Sequence, residues 1–304
     1  MFLGLQGEPK FHHFIKHDVN SISGRRKFRR LGSPNKAMKA LQQRFCKWFL
    51  RSVEYAGKQR VWLTHATACR FGNRTLYNVL PHRKNRFFYL LDFHDAFGSV
   101  DPKRLAAVLV EMEPDLANKT EELRAFLENN FFAGKDGLVQ GGNASGDLFN
   151  LYVGCLIDAH LKDILAENAI TYTRYLDDLT FSSARHITRE TRRKIRSIAT
   201  QAGFSFSWRK CEYLDLQKRQ TVMITGIGLE YGGRIFVPRR FLRKAKAIFH
   251  AAAKPESEIP LCMVEGLASP LRNSIPGDQK RNRIESKLLT QYLKAKEAAD
   301  WRQR

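Results

Sequence analysis

Two adjacent aspartates, Asp177 and Asp178, lie between two runs that read as β-strands, and no other feature of the chain constrains the fold as much. The flanks Ile170-Thr171-Tyr172-Thr173-Arg174 and Leu179-Thr180-Phe181-Ser182 are rich in β-branched and aromatic residues. Asp-Asp is turn chemistry, so a β-hairpin with paired carboxylates at its tip is expected. Two carboxylates held together repel unless a cation lies between them, and a divalent metal suits carboxylate oxygens. Alone, such a pair is more often a solvated acidic turn, and the rest of the chain has to decide.

Charge narrows the partner. The 304 residues hold 52 Lys and Arg against 30 Asp and Glu, a formal charge of +22, which calls for a polyanion, nucleic acid first. The basic clusters lie among aromatic and strand-like residues, no segment reaches bilayer length, and Met1-Phe2-Leu3-Gly4-Leu5 is too short for a signal sequence. A cytoplasmic protein without a membrane partner is expected. Cys46, Cys69, Cys155, Cys211 and Cys262 are odd in number and widely spaced, which suits a reducing compartment and gives no zinc knuckle. No Gly-rich loop ends in Gly-Lys-Ser/Thr, which excludes a P-loop motor.

Along the chain, Arg25 to Leu31 reads as a basic strand closed by Gly32-Ser33-Pro34, and Asn35 caps a helix with Met38, Leu41, Phe45, Trp48 and Phe49 at helical spacing. Phe87 to Leu91 is a buried strand that stops at Asp92, the rim of a sheet where sites are commonly built. Asp101-Pro102 starts another helix. Residues 137–146 form a glycine-rich turn before an apolar helix, Leu148 to Leu165, and Arg189 to Ala202 is an amphipathic helix stopped by Gly203. Phe204 to Trp208 resembles a strand with Arg209-Lys210 at its end. Val222 to Leu229 and Arg234 to Val237 form a hairpin around Gly232-Gly233. After Pro238, a helix from Arg239 to Lys254 sets Arg239, Arg240, Arg243 and Lys244 opposite an apolar face, an arrangement suited to phosphate contact.

The order of these segments is similar to that of reverse transcriptases, and more narrowly of the bacterial retron-type enzymes. Asp92-Phe93-His94-Asp95-Ala96-Phe97 resembles the family's first catalytic motif, Leu138-Val139-Gln140-Gly141 its Leu-Pro-Gln-Gly segment, and Tyr175-Leu176-Asp177-Asp178 its Tyr-x-Asp-Asp hairpin. Gly203-Phe204 with Lys210 corresponds to the following strand and its lysine. Asn78-Val79-Leu80-Pro81-His82 and Ile224-Thr225-Gly226-Ile227 resemble the retron-type Asn-Ala-x-x-His and Val-Thr-Gly-Leu signatures. Departures are Gly142-Asn143-Ala144-Ser145-Gly146 without the family's two prolines, Leu176 for Ala, Gly98 for Pro and Ser207 for Asn.

The resemblance implies an α+β right-hand polymerase. Its parts would be an N-terminal segment and fingers (residues 1–85), a palm of antiparallel sheet plus helices (86–237, with a fingers-palm insertion around 112–140) and a small helical thumb (238–304). It implies an RNA-directed DNA polymerase that copies a structured non-coding RNA, which serves as template and as a candidate primer, into cDNA, with dNTPs as substrates, an RNA–DNA hybrid as product and two Mg²⁺ ions, Mn²⁺ being a substitute. Asp92, Asp177 and Asp178 would hold the metals together with the Phe93 carbonyl. Lys27 and Arg29, with Arg26 and Arg30 as alternatives, would neutralise the triphosphate. Phe97 would gate the sugar, Gln140 and Gly141 would flank the templating pair, and Lys210 would lie near the primer side. Asn78, His82, Tyr175, Leu176, Arg239, Arg240, Arg243 and Lys244 would bind nucleic acid. An antiphage role with an effector protein is the biology implied; the alternatives are a catalytically silent RNA-binding scaffold and a mutagenic retroelement's enzyme.

Overall fold

The computed structural model describes residues 10–19, 26–50, 63–69, 75–132, 137–268 and 279–303, with the side chains of 17–19, 26–30, 50, 279–286, 299 and 301–303 outside the description. The chain divides into two units, one drawn from the segments up to Val19, 25–74 and Asn85–Asp215, the other from 20–24, Thr75–Lys84 and Leu216 onward.

The first unit opens with a hairpin, β1 (Phe11–Val19) against β2 (Arg26–Pro34), from Phe11 opposite Pro34 to Val19 opposite Arg26. β2 was expected and β1 was not, because Phe11-His12-His13-Phe14-Ile15-Lys16 carries no strict alternation that would mark a buried face. Asn35 caps α1 (Lys36–Phe45), its side-chain oxygen accepting from Met38 N at 2.9 Å, and Met38, Leu41, Phe45 and Phe49 are buried while Trp48 stays 42% exposed.

The sheet that carries the aspartates is ordered β4 (Thr171–Tyr175), β5 (Asp178–Ser183), β3 (Phe87–His94), with one edge of β3 shared by two short strands. β7 (Glu212–Asp215) pairs with Phe87–Leu90, and β6 (Ser205–Phe206) pairs with Phe93–His94. The expected strand from Phe204 to Trp208 is thus cut to two residues. Helices α2 (Pro102–Met112), α3 (Thr120–Phe131), α4 (Ser145–Val153), α5 (Ala159–Glu167) and α6 (Arg189–Gln201) supply the rest of this unit, α4 and α5 being joined by a π-helical turn, Gly154–Asp158. Leu91, Phe93, Phe149, Tyr152, Tyr172, Phe181, Ile195 and Phe204 share one buried core. Burying aromatic rings at about 25 cal/mol per Å² is the main force holding helices to sheet.

In the second unit, β8 (Thr221–Ile224), β9 (Ile227–Glu230) and β10 (Ile235–Phe236) form an antiparallel sheet, after a short helix α7 (Leu216–Arg219). The continuous strand expected over Val222–Leu229 is two strands, because Thr225 (φ 46°) and Gly226 (φ 84°) both take positive φ, as a two-residue type I′ turn requires. Helices α8 (Arg239–Ala252), α9 (Leu261–Ala268) and α10 (Gln279–Gln303) pack Ala245, Phe249, Val264, Leu288, Tyr292 and Ala295 into their own core. Among the described residues no helix is long and apolar enough to cross a membrane.

Candidate active site

β3 and β5 pair antiparallel with Asp92 directly opposite Asp178 and Leu91 opposite Leu179, so two carboxylates share one position of the ladder. At about 5 Å and an effective dielectric of about 20, two such charges repel by roughly 3 kcal/mol, where an apolar pair would attract. Asp177 sits in the turn between β4 and β5, and its carbonyl accepts from Phe93 N at 3.1 Å, tying the turn to the residue after Asp92.

The broken edge of β3 supplies a cation. Between β6 and β7 the chain leaves the sheet at Ser207, whose N–H donates to Asp92 O at 2.8 Å, and turns tightly with Lys210 N on Ser207 O at 2.7 Å. That turn brings Lys210 Nζ onto both carboxylate oxygens of Asp92, at 2.6 and 2.5 Å. Asp92 is 5% exposed, whereas the Lys210 side chain is 50% exposed. Burial, reinforced by Asp177 and Asp92, pushes the Asp178 carboxyl up to about 7. Among the described residues no three His, Cys, Asp or Glu side chains are already arranged to hold a metal ion. The donor set nonetheless fits hard divalent cations: all-oxygen ligands, crowded enough that a proton is retained and a lysine drawn in.

The hairpin turn is held from behind. Leu176 adopts φ 54°, a left-handed conformation that costs an L-residue roughly 1–2 kcal/mol and persists only where its surroundings enforce it. The Arg174 guanidinium, fully buried, donates to Asp158 at 2.8, 3.1 and 3.3 Å, to Asn150 Oδ1 at 2.8 Å and weakly to the Leu176 carbonyl at 3.4 Å. Tyr172 donates its hydroxyl to the same Asp158 at 2.8 Å. On the outer side of β4, Arg174 N donates to His65 O and Thr67 N to Arg174 O, both at 2.8 Å. Sequence reasoning missed this network. Its signal was an arginine inside a strand of β-formers together with an acid, Asp158, set among apolar residues of the helical run.

The glycine-rich loop docks on the loop that follows Asp92. Leu138 N donates to Phe97 O at 3.0 Å, and Gly137 (φ 75°) lies so close that a Cβ would stand 2.6 Å from the carbonyl oxygens of Phe97 and Gly98. Phe97 stacks on Phe149 with centroids 4.8 Å apart and stays half-buried. From the other side, Gly32 N donates to Gln140 O at 2.8 Å, so the end of β2 meets Gln140-Gly141. Gly141 is exposed and Gln140 half-buried.

The remaining expected residues fall in three places. Lys27 and Arg29 lie in β2, opposite Asp18 and Lys16, and their side chains lie outside the described residues. Tyr175 and Leu176 are half-buried beside the aspartates, and Arg239, Arg240, Arg243 and Lys244 are exposed on α8 of the second unit. Asn78 and His82 require a correction: both are 0% exposed, Asn78 Nδ2 donating to Thr225 Oγ1 at 3.4 Å, so neither side chain faces a nucleic acid. Burial also pushes the His82 imidazole down to about 3.

Known proteins resemble this chain in sequence and in fold. Residues 16–229 match the family described as reverse transcriptase (RNA-dependent DNA polymerase). Over 183 residues the chain is 27% identical to the Retron Ec83 reverse transcriptase of Escherichia coli, covering 59% of this chain and 55% of that protein. The fold is similar to that of apo telomerase from Candida tropicalis (TM-score 0.57, 10% identity, 94% of this chain and 62% of that one). It is also similar to telomerase from Candida albicans in complex with the TWJ fragment of telomeric RNA (TM-score 0.56, 10% identity, 94% and 55%). At such identity these likenesses speak for the right-hand polymerase fold alone, and the chain spans little more than half the length of the curated relative. The matched span contains the crossed aspartates, the Gln-Gly loop and Lys210, and the chain belongs to the reverse transcriptase family.

Proposed function

We propose that this protein is an RNA-directed DNA polymerase of retron type, copying a structured partner RNA into cDNA. The observation that carries the reading is the placement of Asp92 directly opposite Asp178, with Asp177 in the adjoining turn and Lys210 on Asp92. A fold gains nothing in stability from such a pair, so the arrangement speaks for chemistry. Two Mg²⁺ ions, with Mn²⁺ as a substitute, would supply the charge that stabilises the attacking and leaving oxygens of nucleotidyl transfer. Asp92, Asp177 and Asp178, together with the Phe93 carbonyl, would hold the ions.

The chain's other residues bind and orient. Lys210, on a half-exposed stem, neutralises Asp92 before substrates arrive and swings aside when they do. Phe97, braced by Phe149, gives the incoming sugar a flat wall that disfavours a 2′-hydroxyl. Gln140 and Gly141 flank the templating pair, Tyr175 and Leu176 meet the primer end, and Lys27 and Arg29 of the fingers face the triphosphate. The exposed cations of α8, in the proposed thumb, grip phosphates without reading sequence. The domain limits proposed are residues 1–85, 86–237 and 238–304.

What supports the retron type is the 27% identity over 183 residues. The packing of Asn78 onto Thr225, which joins the two retron-like signatures, also supports it. An antiphage role with an effector protein belongs to that reading. Extension of a primed RNA template with dNTPs and Mg²⁺ tests the chemistry: DNA product with the natural chain and none with Asp177→Asn is expected. Absence of product from both, with the co-purifying RNA present, would leave an RNA-binding scaffold instead.

A further inference from the structure

Outside the acidic site, the first unit carries a cationic and aromatic surface that the polymerase chemistry leaves unused. Between Arg185 and Arg209 the chain holds seven Lys or Arg and one acid, Glu190, which is paired with Lys194 at 3.0 Å. α6 buries Ile195 and Ala199 and turns its cations outward. Arg192 lies over the ring of Tyr213 at 3.9 Å, and Arg196 donates to the Tyr89 hydroxyl at 2.7 Å while standing 5.9 Å from the ring of Trp208. Trp208 is 63% exposed, its ring 5.5 Å from Phe206. Arg189 and Arg193, one helical turn apart, are exposed beside this row.

A solvated charge face needs no aromatic rings interleaved with its cations. An apolar partner would have to desolvate those cations without compensation. Guanidiniums anchored on rings keep the surface positive with little loss of side-chain freedom on binding, and an exposed indole offers a flat face to a base. A duplex presents phosphates but hides its base faces, whereas a single strand presents both. We propose that the Trp208–Arg196–Arg192–Tyr213 surface binds single-stranded RNA, Trp208 stacking on a base and Arg189 and Arg193 taking phosphates. The inference deepens the RNA-copying reading by giving the partner RNA a second hold, but it is testable without synthesis.

The protein is first saturated with a short RNA–DNA hybrid whose primer is chain-terminated, and binding of a labelled, non-complementary single-stranded RNA of about 20 nucleotides is then followed by anisotropy. Trp208→Ala should weaken that binding about tenfold with little change in salt dependence. Arg189→Gln with Arg193→Gln should lower the slope of log Kd against log salt by about 1.4, the value for two single-strand phosphate contacts. Both variants should melt as the natural chain does and extend a short preformed hybrid at its rate. RNA binding unchanged in both variants overturns the proposal. So does equal loss of hybrid extension, which would assign these side chains to the catalytic cleft. Full competition by polyglutamate at matched charge, with Trp208→Ala silent, would make the surface a site for acidic protein and also overturn it. Failure of the natural chain to bind the hybrid counts against the polymerase reading, and the single-strand measurement then stands alone.

Discussion

Asp158→Asn leaves the Arg174 guanidinium charged and unpaired in the core, and it is expected to destabilise the protein by about 3–5 kcal/mol. Both side chains are 0% exposed, and Arg174 spends three of its contacts on Asp158, at 2.8, 3.1 and 3.3 Å. Asparagine keeps the volume and can still accept from the Tyr172 hydroxyl, so the loss isolates the charge rather than a cavity. For a unit of this size the cost corresponds to a fall of about 10 °C in Tm, read by thermal or urea unfolding. A second variant separates stability from positioning. Arg174→Met with Asp158→Leu replaces the pair by apolar groups and should recover most of the lost stability. It also removes the bond to the Leu176 carbonyl, so primer extension measured at 20 °C, where every variant is folded, should stay at least tenfold low in kcat. A loss of under about 1 kcal/mol for Asp158→Asn would refute the sealed pair. Full recovery of kcat in the double variant would refute any role for Arg174 in holding the turn.

His82 gives a pH prediction. Its folded pKa, about 3, lies below the unfolded value near 6.5, so the unfolded chain binds more protons between them and stability falls on acidification through that window. At pH 5 the deficit is about 2 kcal/mol, and unfolding free energies from urea titrations at pH 7.5 and 5 should differ by about that much more in the natural chain than in His82→Asn. Gly137→Ala forces a Cβ to within 2.6 Å of two carbonyl oxygens at φ 75°, so a cost of at least about 2 kcal/mol or a rise in dNTP KM is expected, by denaturation and steady-state kinetics. Replacing Arg239, Arg240, Arg243 and Lys244 together by Gln should change stability by under about 1 kcal/mol. It should also flatten the salt dependence of hybrid binding by about 3.

Legibility followed locality. The Asp177-Asp178 hairpin, the strand ending at Asp92 and the helices after Asn35, Asp101 and Pro238 were readable because each carries its own period and its own punctuation. The cut at Thr225-Gly226 was not, since Thr in a left-handed turn contradicts its propensity and only the strand pairing enforces it. β1 was unreadable for the opposite reason. It holds strand formers in Phe11, Phe14, Ile15 and Val19, but only the nine-residue register with β2 arranges them as a strand. Asn78 and His82 were singled out by their resemblance to a family signature, but burial is a property of neighbours distant in sequence, for Asn78 here Thr225.

The site itself divides along the same line. The aspartates were visible as residue types, yet the fact that gives them meaning, Asp92 facing Asp178, depends on a register between segments 86 positions apart. Lys210 was placed by resemblance, and its bond to Asp92 follows from the gap between β6 and β7, which no local pattern encodes. Three features here run against local preference: like charges paired across a ladder, Leu176 at positive φ and a buried Arg174. Each costs about 1–3 kcal/mol or demands a compensating partner, and all three converge on one turn. Positive φ at a non-glycine residue recurs elsewhere, at Ala169 and Gln220 for example, but at this turn it coincides with paired like charges and a buried arginine. Their convergence is what a turn held for chemistry requires, because only a rigid backing keeps two repelling carboxylates aimed at a third.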